Sequence, residues 1–233
     1  MDALIEALKE SIIFSDLSED VIRQDILPHG RIQEHPRGSF LMAPQQRIDQ
    51  IGVILSGRVH TIHYYPDGTG SLMSVIDRHG ILGADMVCTR SRICPYHAVA
   101  AEATQVCYLP GDLFTREGMV DDRSRLRMLS NMLTLVSQIN MKKEYRLAIL
   151  SQKGIRERIV TYLVMQSHRR NCRRFQIPFS REELASFLCV NRSALSRELS
   201  LMQREGLISF RKNTFALLDD LLFSVDPEVH GDA

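Results

Sequence analysis

The spacing of apolar residues changes character three times along the chain, and each change predicts a different kind of element. Over residues 2–14, Leu4, Ile5, Leu8 and Ile12 recur at helical spacing, which predicts a short amphipathic helix. Ser18 then precedes Glu19 and Asp20, a capping side chain followed by acids where the helix dipole favours them. A second helix is expected to start there and to end before Pro28. From about residue 30 to 115 the helical period disappears. Short β-favouring runs replace it: Ile51 to Val59, Val59 to Tyr65, Leu72 to Ile76, Tyr96 to Ala101 and Gln105 to Leu109. Glycines and turn signals such as Pro66-Asp67-Gly68 punctuate them. Many short strands at near-regular spacing predict an antiparallel barrel or jelly roll, a shape that can enclose one small ligand.

A helical period returns from about Asp121 to Ala148, now with two apolar stripes. Leu126, Leu129, Leu133, Val136 and Asn140 form one, and Met128, Met132, Leu135 and Ile139 form the other. One stripe suffices to lie on the barrel, so the other is expected to pair with a second copy of the chain. Asn140, at a seam position, is the kind of polar residue that fixes pairing register at some cost in stability. A further amphipathic helix is predicted over 154–166 from Ile155, Ile159 and Leu163, with a linker near residues 151–154. Arg169 to Arg174 reads as a basic loop or short hairpin arm.

Residues 180–218 carry the densest set of signals. Ser180 and Glu183 have capping-box spacing ahead of Leu184, Ala185 and Leu188. Cys189 and Val190 form a short break, and Asn191 is placed to cap the next helix. That helix, Arg192 to Arg204, buries Leu195, Leu199 and Met202 on one side and offers Arg192, Ser193, Ser196 and Arg197 on the other. Gly206 suits the left-handed residue that stops a helix. Ile208 and Phe210, then Phe215 and Leu217, flank Arg211-Lys212-Asn213-Thr214 as in a hairpin. Helix, tight turn, helix and basic hairpin describe a winged helix-turn-helix. Arginine can fork onto guanine in a major groove, and Ser or Asn can bond phosphate or a base edge. This segment is therefore expected to bind double-stranded DNA.

The distribution of charge sharpens that expectation. Overall net charge is only +1, yet residues 153–213 hold thirteen Lys/Arg against five Asp/Glu, while residues 1–152 are net −2 and the tail from 214 is net −5. Basic charge concentrated on the helix-turn-helix is what phosphate contact requires. There is no run of eighteen apolar residues, and MDALIEALKESIIF lacks a basic leader, so a cytoplasmic protein with no membrane partner is expected. The five cysteines, Cys88, Cys94, Cys107, Cys172 and Cys189, lie far apart without zinc spacing. With no cysteine cluster near the N-terminus, neither a metal site nor an iron–sulfur cluster is expected. No catalytic constellation can be assembled, so an enzyme is not expected. A cupin-like metalloenzyme would need a His/Glu cluster that His60-Thr61-Ile62-His63 does not supply.

Together these features resemble the cyclic-AMP receptor/FNR (Crp/Fnr) family of bacterial transcription regulators over nearly the whole chain. FSDLSED, IGVILSGRV, HGILGAD and LCVNRSALSREL carry the resemblance. It implies an α+β fold in three parts. Residues 1–119 would form an effector-sensing antiparallel β-barrel or jelly roll, 120–150 a dimerisation helix, and 151–233 a DNA-binding winged helix-turn-helix. It also implies a homodimer on a two-fold-symmetric operator, with RNA polymerase as a further partner. Position by position, Arg192 and Arg197 match arginines of the family's recognition helix, and Ser196 matches the serine beside the second of them. Ser180 and Arg181 match positions that touch backbone phosphate, while Asn191 and Lys212 complete the expected contact set. Ser193 falls where many members have a glutamate that accepts from a cytosine amino group, so the operator preference of the best-known members does not carry over.

The barrel departs further from the resemblance. Cyclic-AMP binders place Gly-Glu in their phosphate cassette and Arg-Ser about ten residues on, whereas this chain has Gly83-Ala84 and Cys94-Pro95. A charge-assisted hydrogen bond is worth roughly 1.5–3 kcal/mol, and losing two or three lowers affinity by orders of magnitude. This argues against cyclic AMP; Arg90 or Arg92 would substitute only after a shift in alignment. Three readings stay open. One is a small organic effector held by Gly83, Ala84, Cys94, Tyr96, His97, Met128 and Met132 between barrel and long helix. Another is haem, with a ligand among His60, His63, His79, Cys88, Cys94 and His97. The third is a redox thiol at Cys88 or Cys94, which requires a depressed pKa.

Overall fold

Helix α1 (Asp2–Lys9) stops earlier than its periodicity suggests. Ile12, Ile13 and Phe14 are consecutive and cannot all lie on one helix face, so the chain turns through tight bonds instead, Phe14 N–H to Ser11 O and Leu17 N–H to Phe14 O, both 3.1 Å. Ile13 and Phe14 are thereby both fully buried. Ser18 caps α2 (Glu19–Val21) as expected, its hydroxyl accepting the Val21 amide at 3.4 Å. The chain then passes through a π turn, Ile22–Ile26, and a 3-10 turn, Leu27–His29, that accommodates Pro28. The structure, a computed structural model, describes residues 2–218. The acidic tail and the expected end of the C-terminal domain, residues 219–233, lie outside the described residues.

Eight strands and two short helices follow: β1 (Arg31–His35), β2 (Phe40–Met42), β3 (Gln50–Ser56), β4 (Val59–Tyr64), β5 (Gly70–Ile76), β6 (Ile81–Leu82), α3 (Ala84–Val87), β7 (His97–Ala100), β8 (Thr104–Pro110) and α4 (Asp112–Thr115). They form two four-stranded antiparallel sheets, ordered β1-β8-β3-β6 and β2-β7-β4-β5. The result is a jelly-roll-like sandwich rather than a closed barrel. Strands β1, β2 and β6 escape the apolar pattern because β1 is largely exposed and the others are only three and two residues long. Strand β3 is buried on both faces. Ile51, Val53 and Leu55 join Leu8, Phe14, Leu109 and Phe114 in one core, while Ile54 joins Met42, Val59, Leu82, Ala98, Val106 and Tyr108 between the sheets.

Helix α5 (Asp122–Leu150) separates its two stripes only in part, because Val136, expected on the outer stripe, packs against the same core as Leu135. Met128 and Met132 are buried in the core beside α1, whereas Leu126 and Leu133 are 67% and 69% exposed. The chain divides into two compact units between Lys142 and Lys143, within this helix.

The second unit adds α6 (Ile155–Arg169), β9 (Arg174–Gln176), α7 (Arg181–Phe187), α8 (Arg192–Arg204), β10 (Ile208–Arg211) and β11 (Thr214–Leu217). The basic arm leads into β9, which pairs with β11 and widens the expected hairpin into a three-stranded sheet, β10-β11-β9. Gly206 lies at φ +78 and ends α8, with the Leu207 amide donating to Met202 O at 3.0 Å.

Gly57 joins β3 to β4 at φ +85, where an added Cβ would sit 2.5 Å from the Ala103 carbonyl oxygen. Gly57→Ala is expected to lower unfolding free energy by about 1–3 kcal/mol, seen as a lower urea midpoint at unchanged m-value.

Candidate functional site

In the second unit, local chemistry builds the helix-turn-helix. The Ser180 hydroxyl accepts the Glu183 amide at 3.2 Å, and the Glu183 carboxylate accepts the Ser180 amide at 2.6 Å, closing the expected capping box on α7. In the turn that follows, Cys189 takes φ +53. One guanidinium supports that turn: Arg158 donates to the carbonyls of Leu188 at 3.1 Å, Cys189 at 3.4 Å and Gln152 at 3.0 Å. Asn191 caps α8, its side-chain oxygen accepting the amide of Ser193 at 2.9 Å and the hydroxyl of Ser193 at 2.6 Å. That second bond commits the Ser193 proton and leaves its exposed oxygen as an acceptor.

Arg156 holds α8 to α6. It bonds Glu198 at 2.5 Å and forks onto Glu205 at 2.8 and 3.0 Å. The hydrogen bonds it donates to Glu205 and then to Glu198 raise the pKa of this guanidinium. With Leu195, Leu199 and Met202 buried, the opposite side of α8 presents Arg192, Ser193 and Arg197 to solvent and Ser196 half-buried among them. Ser180 and Asn191 are exposed at the helix starts, and Lys212 is exposed in the wing turn. Arg181 behaves differently. Its guanidinium lies 4.9 Å from the Phe210 ring centroid and 5.6 Å from that of Phe215, and it donates to the Lys212 carbonyl at 3.3 Å. Burial lowers its pKa. The side chain expected on phosphate is thus turned onto the wing.

The first unit does not gather the expected effector set. Cys94 and Tyr96 belong to the core between the sheets, where the Cys94 thiol donates to the Tyr96 carbonyl at 3.0 Å and the Tyr96 hydroxyl meets Asp85 at 3.2 Å. Gly83 precedes α3, and Ala84 packs on the helix side with Met128 and Met132. Those methionines therefore fill a different core from Cys94 and Tyr96. His97 is corrected too. Strand β7 alternates so that Ala98 and Ala100 are buried, and the His97 ring lies on the other face, 5.4 Å from Phe40 and 5.0 Å from Tyr64. The spacing of an alternating strand shows its two faces, but not which of them is internal.

The alternative chemistries find little support in this geometry. Arg92 is tied to Asp49 at 2.8 Å, with Arg47 sharing the carboxylate at 3.2 Å, and so does not serve as an interior cation. Among the candidate haem ligands, His79 pairs with Glu10 at 2.6 Å, His63 packs edge-on against Tyr65 at 5.3 Å, and His97 is on the outer face. Among the described residues no group of three or more His, Cys, Asp or Glu side chains is placed to hold a metal ion. Burial pushes the thiols of Cys88 and Cys94 up, the opposite of what a redox switch requires.

A pair that the sequence pattern does not reveal lies inside the sandwich. The Tyr108 hydroxyl and His35 Nε2 are 3.0 Å apart, and both residues are buried. Burial pushes the Tyr108 phenol up to about 12 and lowers the His35 pKa, so two neutral groups share one hydrogen bond. The hydroxyls of Thr61 and Ser74, 2.8 Å apart, add a second neutral pair from β4 and β5. The available signal was the register of Tyr108, two residues after the inward-facing Val106.

Comparison with known proteins agrees with this architecture. Residues 157–220 match the Crp-like helix-turn-helix domain, and residues 32–118 match the cyclic nucleotide-binding domain. The chain is 25% identical over 207 residues to the transcriptional activator protein FnrA of Stutzerimonas stutzeri, spanning 84% of this chain and 80% of that protein. The chain belongs to the Crp/Fnr family of transcriptional regulators. Two solved Crp/Fnr-type structures share its fold. FixK2 from Bradyrhizobium japonicum has a TM-score of 0.64 at 15% identity, covering 86% of this chain and 99% of that one. The c-di-GMP responsive regulator CLP of Xanthomonas campestris has a TM-score of 0.64 at 18% identity, covering 83% and 96%.

The buried histidine makes this Crp/Fnr chain acid-sensitive in a defined direction. Because the folded-state pKa of His35 is lowered, the unfolded chain takes up that proton first as pH falls below the ordinary histidine value of about 6.5. Stability conferred by neutral His35 is thus present above that pH and lost below it. The urea midpoint is expected to fall between about pH 7 and 5.5, and His35→Gln should flatten the fall.

Proposed function

We propose that the chain is a homodimeric, sequence-specific DNA-binding transcriptional regulator controlled by a small effector other than cyclic AMP. The observation that carries the DNA reading is the outward face of α8, where Arg192, Ser193, Ser196 and Arg197 stand opposite the buried leucines on a helix anchored by Arg156. Arg192 and Arg197 act as the forked donors to base edges in the major groove, and Lys212 as a backbone contact from the wing. Ser193, with its proton held by Asn191, acts as an acceptor and would favour an amino group on the DNA. Ser180 contributes to phosphate at the start of α7, where the helix terminus favours an anion.

Dimerisation is supported by the outer stripe of α5. Burying an exposed leucine contributes roughly 1.5–3 kcal/mol, and Leu126 and Leu133 are among the most exposed large apolar side chains of the described residues. Pairing them with a second copy places two recognition helices on a two-fold-symmetric operator with half-sites about one helical turn apart. The effector reading rests on the sandwich interior, where His35, Tyr108, Thr61 and Tyr96 offer neutral polar groups and Arg92 is engaged elsewhere. Such an interior suits an uncharged organic molecule better than a cyclic phosphate. CLP, a c-di-GMP responsive protein, shares this fold, so the fold is not tied to cyclic AMP. Because α5 carries residues of both units, effector binding would shift the population between two dimer states that differ in DNA affinity. The setting is cytoplasmic, with RNA polymerase as the further partner.

Two measurements follow. Fluorescence anisotropy with the duplex upstream of the chain's own gene should show salt-sensitive binding, and Arg197→Ala should weaken it by about 1–3 kcal/mol while relaxing preference at one base pair. An equal loss on every sequence would make Arg197 a phosphate contact instead. Leu133→Glu should convert the dimer to a monomer in sedimentation equilibrium and remove high-affinity operator binding, whereas a variant that stays dimeric would exclude this stripe as the seam.

A further inference from the structure

The wing turn has a backbone that needs support. Lys212 lies at φ +56, in the left-handed region that residues with a β-carbon rarely adopt. Three bonds hold the turn in place. The Asn213 side chain donates to the Ile177 carbonyl at 3.1 Å, the Ile177 amide donates to the Asn213 carbonyl at 2.9 Å, and Arg181 donates to the Lys212 carbonyl at 3.3 Å. Arg181 stands at the first position of α7, thirty-one residues before Lys212. Its guanidinium rests 4.9 and 5.6 Å from the ring centroids of Phe210 and Phe215, which face each other across the hairpin and stack at 5.7 Å. It is a planar cation laid over an aromatic pair, with one N–H on the turn itself.

We propose that Arg181 is a positioning residue of the wing: it locks the Lys212 turn to the start of α7, and thereby sets where Lys212 meets the DNA backbone, without touching phosphate itself. The proposal rests on reading the second unit as a DNA-binding module. A guanidinium suits the task because it stacks and donates at once. A lysine ammonium keeps the charge but cannot lie flat on two rings, nor reach the carbonyl from that plane. A phosphate contact makes the opposite demand, since any cation within reach satisfies much of it.

That difference decides the test, made on the full-length chain. Native-state amide hydrogen exchange without DNA is followed at Ile177, whose amide bonds the turn, with the buried α6 amides as a check that the fold persists. Operator affinity is then measured by anisotropy for wild type, Arg181→Lys, Lys212→Ala and the double variant. Arg181→Lys is expected to speed exchange at Ile177 about tenfold while α6 stays protected, and to weaken operator binding several-fold. In the Lys212→Ala background it should add almost nothing, because it acts through Lys212. Unchanged Ile177 exchange, full rescue of DNA affinity by lysine, or a loss that simply adds to that of Lys212→Ala would overturn the proposal. If wild type binds no duplex at all, the DNA reading fails, and faster Ile177 exchange in Arg181→Lys would still show the clamp on the turn.

Discussion

Burial of β3 and β8 on both faces is the constraint on which the first unit depends. Each strand must send alternate side chains into different surroundings, so neither carries a charge, and their middles, Ile51 to Leu55 and Val106 to Leu109, hold no polar side chain but the Tyr108 hydroxyl. Ile51, Val53, Cys107 and Leu109 serve the core that also takes the N-terminal segment, Met128 and Met132. Ile54, Val106 and Tyr108 serve the space between the sheets. Any effector held inside the sandwich therefore meets the second set and not the first. This is why the methionines of α5, plausible pocket residues by helical spacing, prove to be structural, and why the buried His35 and Tyr108 pair moves to the centre of the effector question.

In the second unit the corresponding constraint is how arginines are divided between protein and solvent. Net charge alone suggests a uniformly phosphate-binding surface, but three of the arginines are committed within the fold. Arg156 ties α8 to α6, Arg158 satisfies the carbonyls of the helix-turn-helix corner, and Arg181 lies on the wing rings. Exposed ion pairs typically contribute only about 0–1 kcal/mol each, so their main effect is on orientation. Forked geometry suits that purpose, because a guanidinium with two carboxylate partners has few alternative positions. Arg192, Arg197 and Lys212 remain exposed on α8 and the wing turn, and the proposed DNA reading rests on them.

The helix-turn-helix was legible because its signals are local. A capping box, an Asn cap and a stop glycine each act within a few residues of the position that shows them, and each appears in the structure where the spacing puts it. The two stripes of α5 were partly legible for the same reason: helical period alone separates Met128 from Leu133. What the methionines pack against was not, because that depends on a distant part of the chain. The faces of β7 were likewise ambiguous, since His97-Ala98-Val99-Ala100 alternates equally well with either set inside. Arg181 illustrates the same limit. Its position in the sequence marks it as the first residue of a helix, and only the return of Phe210 and Phe215 beside it turns the guanidinium inward. Long-range contacts decide these cases.

Selection of duplexes from a random pool by the full-length chain tests the central claim most directly, because the operator does not have to be identified beforehand. The account predicts enrichment of a two-fold-symmetric sequence whose half-sites are centred about one helical turn apart, as a pair of α8 helices in a dimer requires. Enrichment of a single unrepeated site would contradict it.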